Sequence, residues 1–324
     1  MTLNPFHPCR IQVLSKKMRH PLSYKVRWTI ALLMSAGILF AHAASGAERI
    51  SVTDLLGRTM TIPESPSRVV SLAPNITEIV FALGEGHRLV GVTRYSDYPE
   101  AAKQIQKVGS YVHLDLERII SLAPELCLAI KDGNPREAVS RLESLGIPVY
   151  AVDPRNLESV LEALQRIGEL LGAEEKAHRI VQEIQQRIQK VESRVHQVSH
   201  RPRVFFQIGV SPIVSVGTHT FIHELIVQAG GINVAEGPTP YPRFSREQVL
   251  GLSPDIVIIT SMARSAVFSK VKAEWEQWED MPAVRNNRVF VQESNLFDRP
   301  SPRLVDALEV LVRLIHPELF EGSR

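Results

Sequence analysis

Two cysteines in 324 residues cannot build a disulfide framework. Cys9 stands in the N-terminal stretch, and Cys127 lies inside the apolar run Leu126–Ile130. A lone thiol in apolar surroundings reads as a small core residue rather than a nucleophile. Catalytic signatures are missing as well. The chain has no GxSxG, no HExxH, no P-loop and no GxGxxG, and no pair of carboxylates stands out. These absences argue against a hydrolase or a nucleotide-dependent reductase, and no catalytic residue or cofactor is expected. Tryptophan is scarce too: Trp28, Trp275 and Trp278 are the only three.

Acid is absent from the first 43 residues, which carry Arg10, Lys16, Lys17, Arg19, Lys25 and Arg27. The apolar run Trp28–Ala41 follows, then Ala41-His42-Ala43. A basic start, a short apolar run and small residues before a cut describe a secretory signal peptide, here residues 1–43. The run falls short of the ~20 residues that a membrane span needs. Met18 is an alternative start and Ala47 an alternative cleavage point. Taking six basic residues from 37 leaves 31 against 35 acidic ones, so the net charge changes from +2 to −4. No basic surplus then remains to follow a phosphate backbone, and nucleic acid is not an expected partner.

Residues 44–67 form a lead-in and a hairpin: Ile50–Ile62 alternates apolar and polar side chains around Asp54-Leu55-Leu56-Gly57, and Pro63 and Pro66 end it. From 68 to 156, strand-like runs such as RVVSL, LVGV and LCLAI alternate with helical stretches. That alternation predicts a parallel sheet in an α/β layer. Residues 157–200 lose the strand signal, and Ile180, Val181, Ile184, Ile188, Val191 and Val195 recur at helical spacing. A helix to about Leu171 is expected, then a break at Gly172, then a long helix from Glu174 to Val198. Residues 201–324 resume the first pattern: RVFFQIG echoes RVVSL, and FIHELIVQAG echoes NITEIVFALG, with Glu224 on Glu78 and Gly230 on Gly84. LERIISLAPELCLAI (116–130) returns as REQVLGLSPDIVIIT (246–260), so that Glu117, Leu122 and Pro124 match Glu247, Leu252 and Pro254 at a constant offset of 130. The fold expected is α/β: two similar Rossmann-like lobes joined by a long α-helix, with a ligand cleft between them. Ligands in open α/β sheets sit outside the carboxyl ends of the strands.

Taken in order, RVVSLAPNITEIVFALG, LVGVTRYSDYPE, LERIISLAPELCLAI, RVFFQIG, FSREQVLGLSPDIVIIT and FDRPSPR resemble the periplasmic substrate-binding proteins of ABC importers. The resemblance is to the helix-linked class for corrinoids, siderophores and haem, and within it to the cobalamin binders. It implies a periplasmic monomer that captures a corrinoid and hands it to a permease dimer in the inner membrane. It also implies that one glutamate per lobe, at Glu117 and Glu247, docks onto permease arginines. From the residues alone, both glutamates equally suit helix starts, where a carboxylate favours the macrodipole.

A corrinoid is broad and rich in peripheral amides, so its site needs apolar or aromatic walls and a few amide or hydroxyl partners. The candidates are the residues that follow strands: Pro74, Asn75, Tyr95, Tyr111, Ile130, Asp132, Gly133, Asn134, Ile208, Tyr241, Asn295, Leu296 and Phe297. Asn75 also suits a helix N-cap. Tyr111, Ile130, Tyr241 and Leu296 stand where the cobalamin binders often carry tryptophan, which leaves less stacking area. A ferric siderophore or haem is the alternative ligand. Arg94, Lys131, Arg243 and Arg299 would face an anionic siderophore, and Tyr95 or Tyr111 would ligate haem iron. His219 and His223 are four residues apart, and a metal would need Glu224 or His113 as a further ligand; the spacing alone is a weak signal, so the histidines are read as structural and no metal site is expected.

Overall fold

The computed structural model describes residues 48–260 and 266–320. The expected signal peptide lies outside the described residues. The chain begins with an antiparallel hairpin, β1 (Arg49–Thr53) and β2 (Thr59–Pro63), in which Ile50 faces Ile62. The carboxylate of Asp54 closes the turn by accepting the N–H groups of Leu56 and Arg58, and it pairs with the Arg58 guanidinium at 2.7 Å.

The N-terminal lobe follows as β3 (Val69–Ser71), α1 (Pro74–Ala82), β4 (Leu89–Val92), α2 (Leu116–Ser121), β5 (Leu126–Ile130), α3 (Arg136–Ser144) and β6 (Val149–Val152). Its four strands are parallel, in the order β4-β3-β5-β6. Successive side chains on a strand point to opposite faces, and both faces of this sheet are covered. Val69, Leu126 and Leu128 join one core cluster, whereas Val70, Cys127 and Ala129 join another. Cys127 is fully buried, and burial pushes its thiol up to about 12.

Next come α4 (Leu157–Leu170) and α5 (Glu174–Val195), separated by Gly172 at φ +66°. The expected long helix is there, about 33 Å at 1.5 Å per residue. It is also not alone. Leu157 and Val160 of α4 pack in the C-terminal lobe, and Ala163, Leu164 and Ile167 pack in the N-terminal one. On α5 the order reverses: Ala177 and Val181 pack in the N-terminal lobe, Val191 and Val195 in the C-terminal one. Both helices therefore bridge the lobes, as an antiparallel pair in place of a single rod.

The C-terminal lobe runs β7 (Arg203–Gly209), β8 (Ile213–Ser215), α6 (Phe221–Gln228), β9 (Ile232–Asn233), β10 (Arg243–Phe244), α7 (Arg246–Leu252), β11 (Ile256–Ile259), α8 (Ala266–Glu276), α9 (Pro282–Arg285), β12 (Val289–Val291), α10 (Ser294–Phe297) and α11 (Leu304–Ile315). Strands β9, β7, β11 and β12 are parallel. Two antiparallel additions, β8 and β10, extend the edge in the order β10-β8-β7-β11-β12. These two were not expected, because strands of three and two residues are too short to show alternation.

The repeat in the sequence is also a repeat in the backbone. Ala123 and Ser253, 130 positions apart, take left-handed φ angles of +44° and +48° at the ends of α2 and α7. Each precedes a proline and the next strand, so the motif encodes a helix stop and a sharp turn into the sheet.

Candidate functional site

Parallel strands deliver their carboxyl ends to one edge of a sheet, and the edges of the two lobes meet. The Asn75 amide donates to the carbonyl of Pro300 at 3.3 Å, Asn295 donates to Asp97 at 3.4 Å, and the Arg299 guanidinium donates to the carbonyl of Tyr95 at 2.8 Å. Each of these contacts joins the segment that follows a strand in one lobe to the segment that follows a strand in the other: Asn75 from the first turn of α1, Tyr95 and Asp97 from the loop after β4, and Asn295, Arg299 and Pro300 from α10 and the turn beyond it.

On the N-terminal side, Tyr95 and Tyr111 form an edge-on pair, with centroids 6.0 Å apart and planes at 62°. Tyr95 is 47% exposed, so its ring is available to a ligand. Beneath it lies a buried chain of hydroxyls. Thr77 donates to Ser71 at 2.9 Å, Ser96 lies 2.9 Å from Thr77, and Thr93 is 3.0 Å from Ser96. Ser96 and Thr93 carry no signal in the sequence, since serine and threonine near a turn are common. Asn134 clasps the Tyr111 loop: its Oδ1 accepts from Ile130 N–H at 2.8 Å, and its amide donates to the carbonyls of Leu72 and Tyr111. A side chain at Gly133 would meet Ile130 at 2.8 Å and Tyr111 at 3.1 Å, so the tyrosine rests against bare backbone.

The other candidates divide. Pro74, half-buried, opens α1, and Ala73 is the residue at its N-cap. Asn75 therefore does not cap the helix; it is 3% exposed and turned to the opposite lobe. Phe297 is fully buried against Phe206, at 5.6 Å between centroids, and offers no surface to a ligand. Apolar residues beside a cleft loop and in the core beneath it look alike in sequence, and here Phe297 is core. Leu296 and Ile208 are partly buried at the border of the same cluster. Ile130 and Asn295 are half-buried. Asp132 pairs with Arg155 at 2.7 Å. Tyr241, 55% exposed, comes from the other lobe close enough for Asp132 and Arg155 to act on its hydroxyl.

At the end of β11, the Thr260 hydroxyl donates to the Asp298 carboxylate at 3.1 Å. Burial pushes this carboxyl up to about 7, against the opposing pull of Thr260 and Arg299. Nothing in the sequence marks it, because an Asp-Arg neighbour pair suggests an exposed ion pair instead. Arg299 turns away from it to Asp97 and Glu78, at 2.8 and 3.0 Å. Lys131 pairs with Asp153 at 2.9 Å.

His223 faces the amide of Asn233 at 3.1 Å, and Glu224 accepts the N–H of Leu157 at 2.8 Å. Among the described residues, no three or more His, Cys, Asp or Glu side chains are grouped to hold a metal. Two surface depressions, of about 360 and 240 Å³, open around Trp278 and Lys272 respectively, and neither includes a residue of these strand-end loops.

Glu117 and Glu247 occupy the same place in their helices. Each is exposed and is the second residue of a short helix, behind the capping side chains of Asp115 and Ser245. Its own backbone N–H and the Ser245 hydroxyl hold the Glu247 carboxyl below its ordinary value.

Comparison with known proteins places residues 69–296 in the family described as "Periplasmic binding protein". A vitamin B12-binding protein of Yersinia pestis is 33% identical over 259 residues, 79% of this chain and 89% of that protein. Among solved structures, the periplasmic vitamin B12-binding protein BtuF of Vibrio cholerae matches with a TM-score of 0.69 and 27% identity, over 79% of this chain and 98% of that one. The periplasmic haem-binding protein RhuT of Roseiflexus sp. RS-1 matches with a TM-score of 0.71 and 25% identity, over 78% and 99%.

Proposed function

Because the chain belongs to the periplasmic binding protein family, we propose that it captures a corrinoid between its lobes in the periplasm and delivers it to an ABC importer. One observation carries the reading. Opposed strand-end loops with an exposed tyrosine wall occur in a chain 33% identical to a vitamin B12-binding protein over most of both lengths. The wall offers π surface to a large ligand, and Asp298 and Tyr241 supply polar partners for peripheral amides. The N-terminal segment supplies the export signal. Glu117 and Glu247 are the docking knobs: a two-lobed carrier on a two-fold symmetric permease needs one acidic contact per lobe, and carboxylate–arginine forks fix orientation.

Haem is the second reading, favoured by the exposed Tyr95 as a potential iron ligand and by the likeness to a haem-binding protein. A ferric siderophore fits less well, since Arg299 and Lys131 are already committed to carboxylates. Calorimetric titration of the mature protein with cyanocobalamin, dicyanocobinamide and haemin tests the proposal. One-to-one binding of a corrinoid supports it. Haemin bound with a tyrosinate spectrum and no corrinoid binding overturns it. For docking, E117A/E247A should leave ligand affinity unchanged and abolish stimulation of the reconstituted permease's ATPase.

A further inference from the structure

The most heavily bonded carboxylate at the lobe boundary is Glu78, in α1, whose side chain is 2% exposed. It takes four donors, all from one turn of the opposite lobe. Arg299 donates through Nη1 at 3.0 Å, Ser301 through its hydroxyl at 2.7 Å, and Arg303 through Nε and Nη2, both at 2.8 Å. The Arg303 fork is bidentate, which fixes angle as well as distance. Asp97 lies against Arg299 at 2.8 Å, so two carboxylates balance two guanidiniums.

The same two arginines continue into the ligand wall. Arg299 donates to the Tyr95 carbonyl at 2.8 Å, and the Arg303 guanidinium stacks on the Tyr98 ring at 3.8 Å. The loop that carries Tyr95 is therefore held by the C-terminal lobe as well as by the hydroxyl chain beneath it. The pseudo-equivalent glutamate, Glu224, also bonds outside its own sheet, to the start of α4. The two α1-type helices are thus each tied by a glutamate to a neighbouring body.

We propose that Glu78, Arg299 and Arg303 form an interlobe clamp that sets the lobe spacing and positions the Tyr95 wall, so that ligand residence depends on residues the ligand never touches. They are positioning residues. The clamp's bearing on residence rests on the ligand reading above; its control of lobe spacing does not. Glu78→Gln keeps shape but removes the charge that both arginines face, so the lobes lose their charged tie and the two guanidiniums repel within their own turn.

The test uses the mature protein with nitroxides at Glu137→Cys in α3 and Val227→Cys in α6, since buried Cys127 does not label. The E78Q form should show a broader interlobe distance distribution without ligand, and cyanocobalamin or haemin should leave at least tenfold faster with little change in association rate. The control is Arg58→Gln, outside the lobe-bridging α4 and α5. It breaks pairs with Asp54 and Glu143 at 2.7 and 2.8 Å within the N-terminal part of the chain and should lower stability without changing either readout. If E78Q does not fold, Arg303→Lys keeps the charge and loses the fork, and the same two changes are expected at smaller size. An unchanged distance distribution in a folded variant overturns the clamp, as does an unchanged dissociation rate. Failure of the wild type to bind either ligand overturns the ligand reading alone, and the distance measurement then decides the clamp.

Discussion

Asp298→Asn should make the protein more stable at pH 8 than the wild type, and leave it equal at pH 4. The carboxyl is held at about 7, against an ordinary 3.8, chiefly by burial, with Thr260 and Arg299 pulling the other way and the Tyr241 hydroxyl nearby. A raised carboxyl binds an extra proton in the folded state, so its contribution to stability falls as pH rises from about 4 to about 7 and is flat beyond. The gap corresponds to about 4 kcal/mol as an upper bound. The residue keeps some contact with solvent, so a loss of about 2 kcal/mol is the working figure. Asparagine keeps an oxygen to accept the Thr260 hydroxyl and never ionises. Urea unfolding of both forms from pH 4 to 8.5 gives the difference directly, because every other titrating group cancels. The variant's advantage should grow through pH 5–7 and then level off. A difference that stays constant across the range refutes the buried-carboxyl argument.

Tyr95→Ala or Tyr111→Ala removes one half of the wall and should raise the ligand's Kd by about five- to thirtyfold with an unchanged melting temperature, read by calorimetry. A Cβ at Gly168 would sit 2.6 Å from the Ala177 methyl where α4 and α5 cross, so Gly168→Val should destabilise by about 1–3 kcal/mol in urea. Cys127, fully buried with its thiol pushed up to about 12, should resist iodoacetamide at pH 8 in the folded protein and react at once in denaturant.

Much of this architecture is local and therefore readable along the chain. Two-residue alternation sorts Val69 from Val70 and Leu126 from Cys127 onto opposite faces. Helical spacing from Ile180 to Val195 predicts the long bridge, and the doubled motif around Glu117 and Glu247 predicts two lobes with matching helix starts; the paired left-handed turns at Ala123 and Ser253 are what the structure adds to that repeat. Tyr95 and Tyr111 were readable as candidates because they follow strands, and Tyr95 because the family the chain resembles carries an aromatic ligand contact in that motif. What stayed hidden joins distant positions. Glu78 meets Arg299 and Arg303 across 221 and 225 residues, and no local period connects them. Leu296 and Phe297 are neighbours in one apolar pair, yet Phe297 turns inward onto Phe206 and Leu296 lies at the border of the core. Asn75 looks like a cap and instead reaches the other lobe. Backbone geometry and hydrophobic periodicity act over a few residues, so the sequence by itself determined the longer strands, the main helices and the repeat, while the short edge strands β8 and β10 formed only where the sheet offered them a partner. The pairing of charges, and the choice of which side chains face the cleft, arise only when the two sheets bring their carboxyl edges together, and that was decided by tertiary structure.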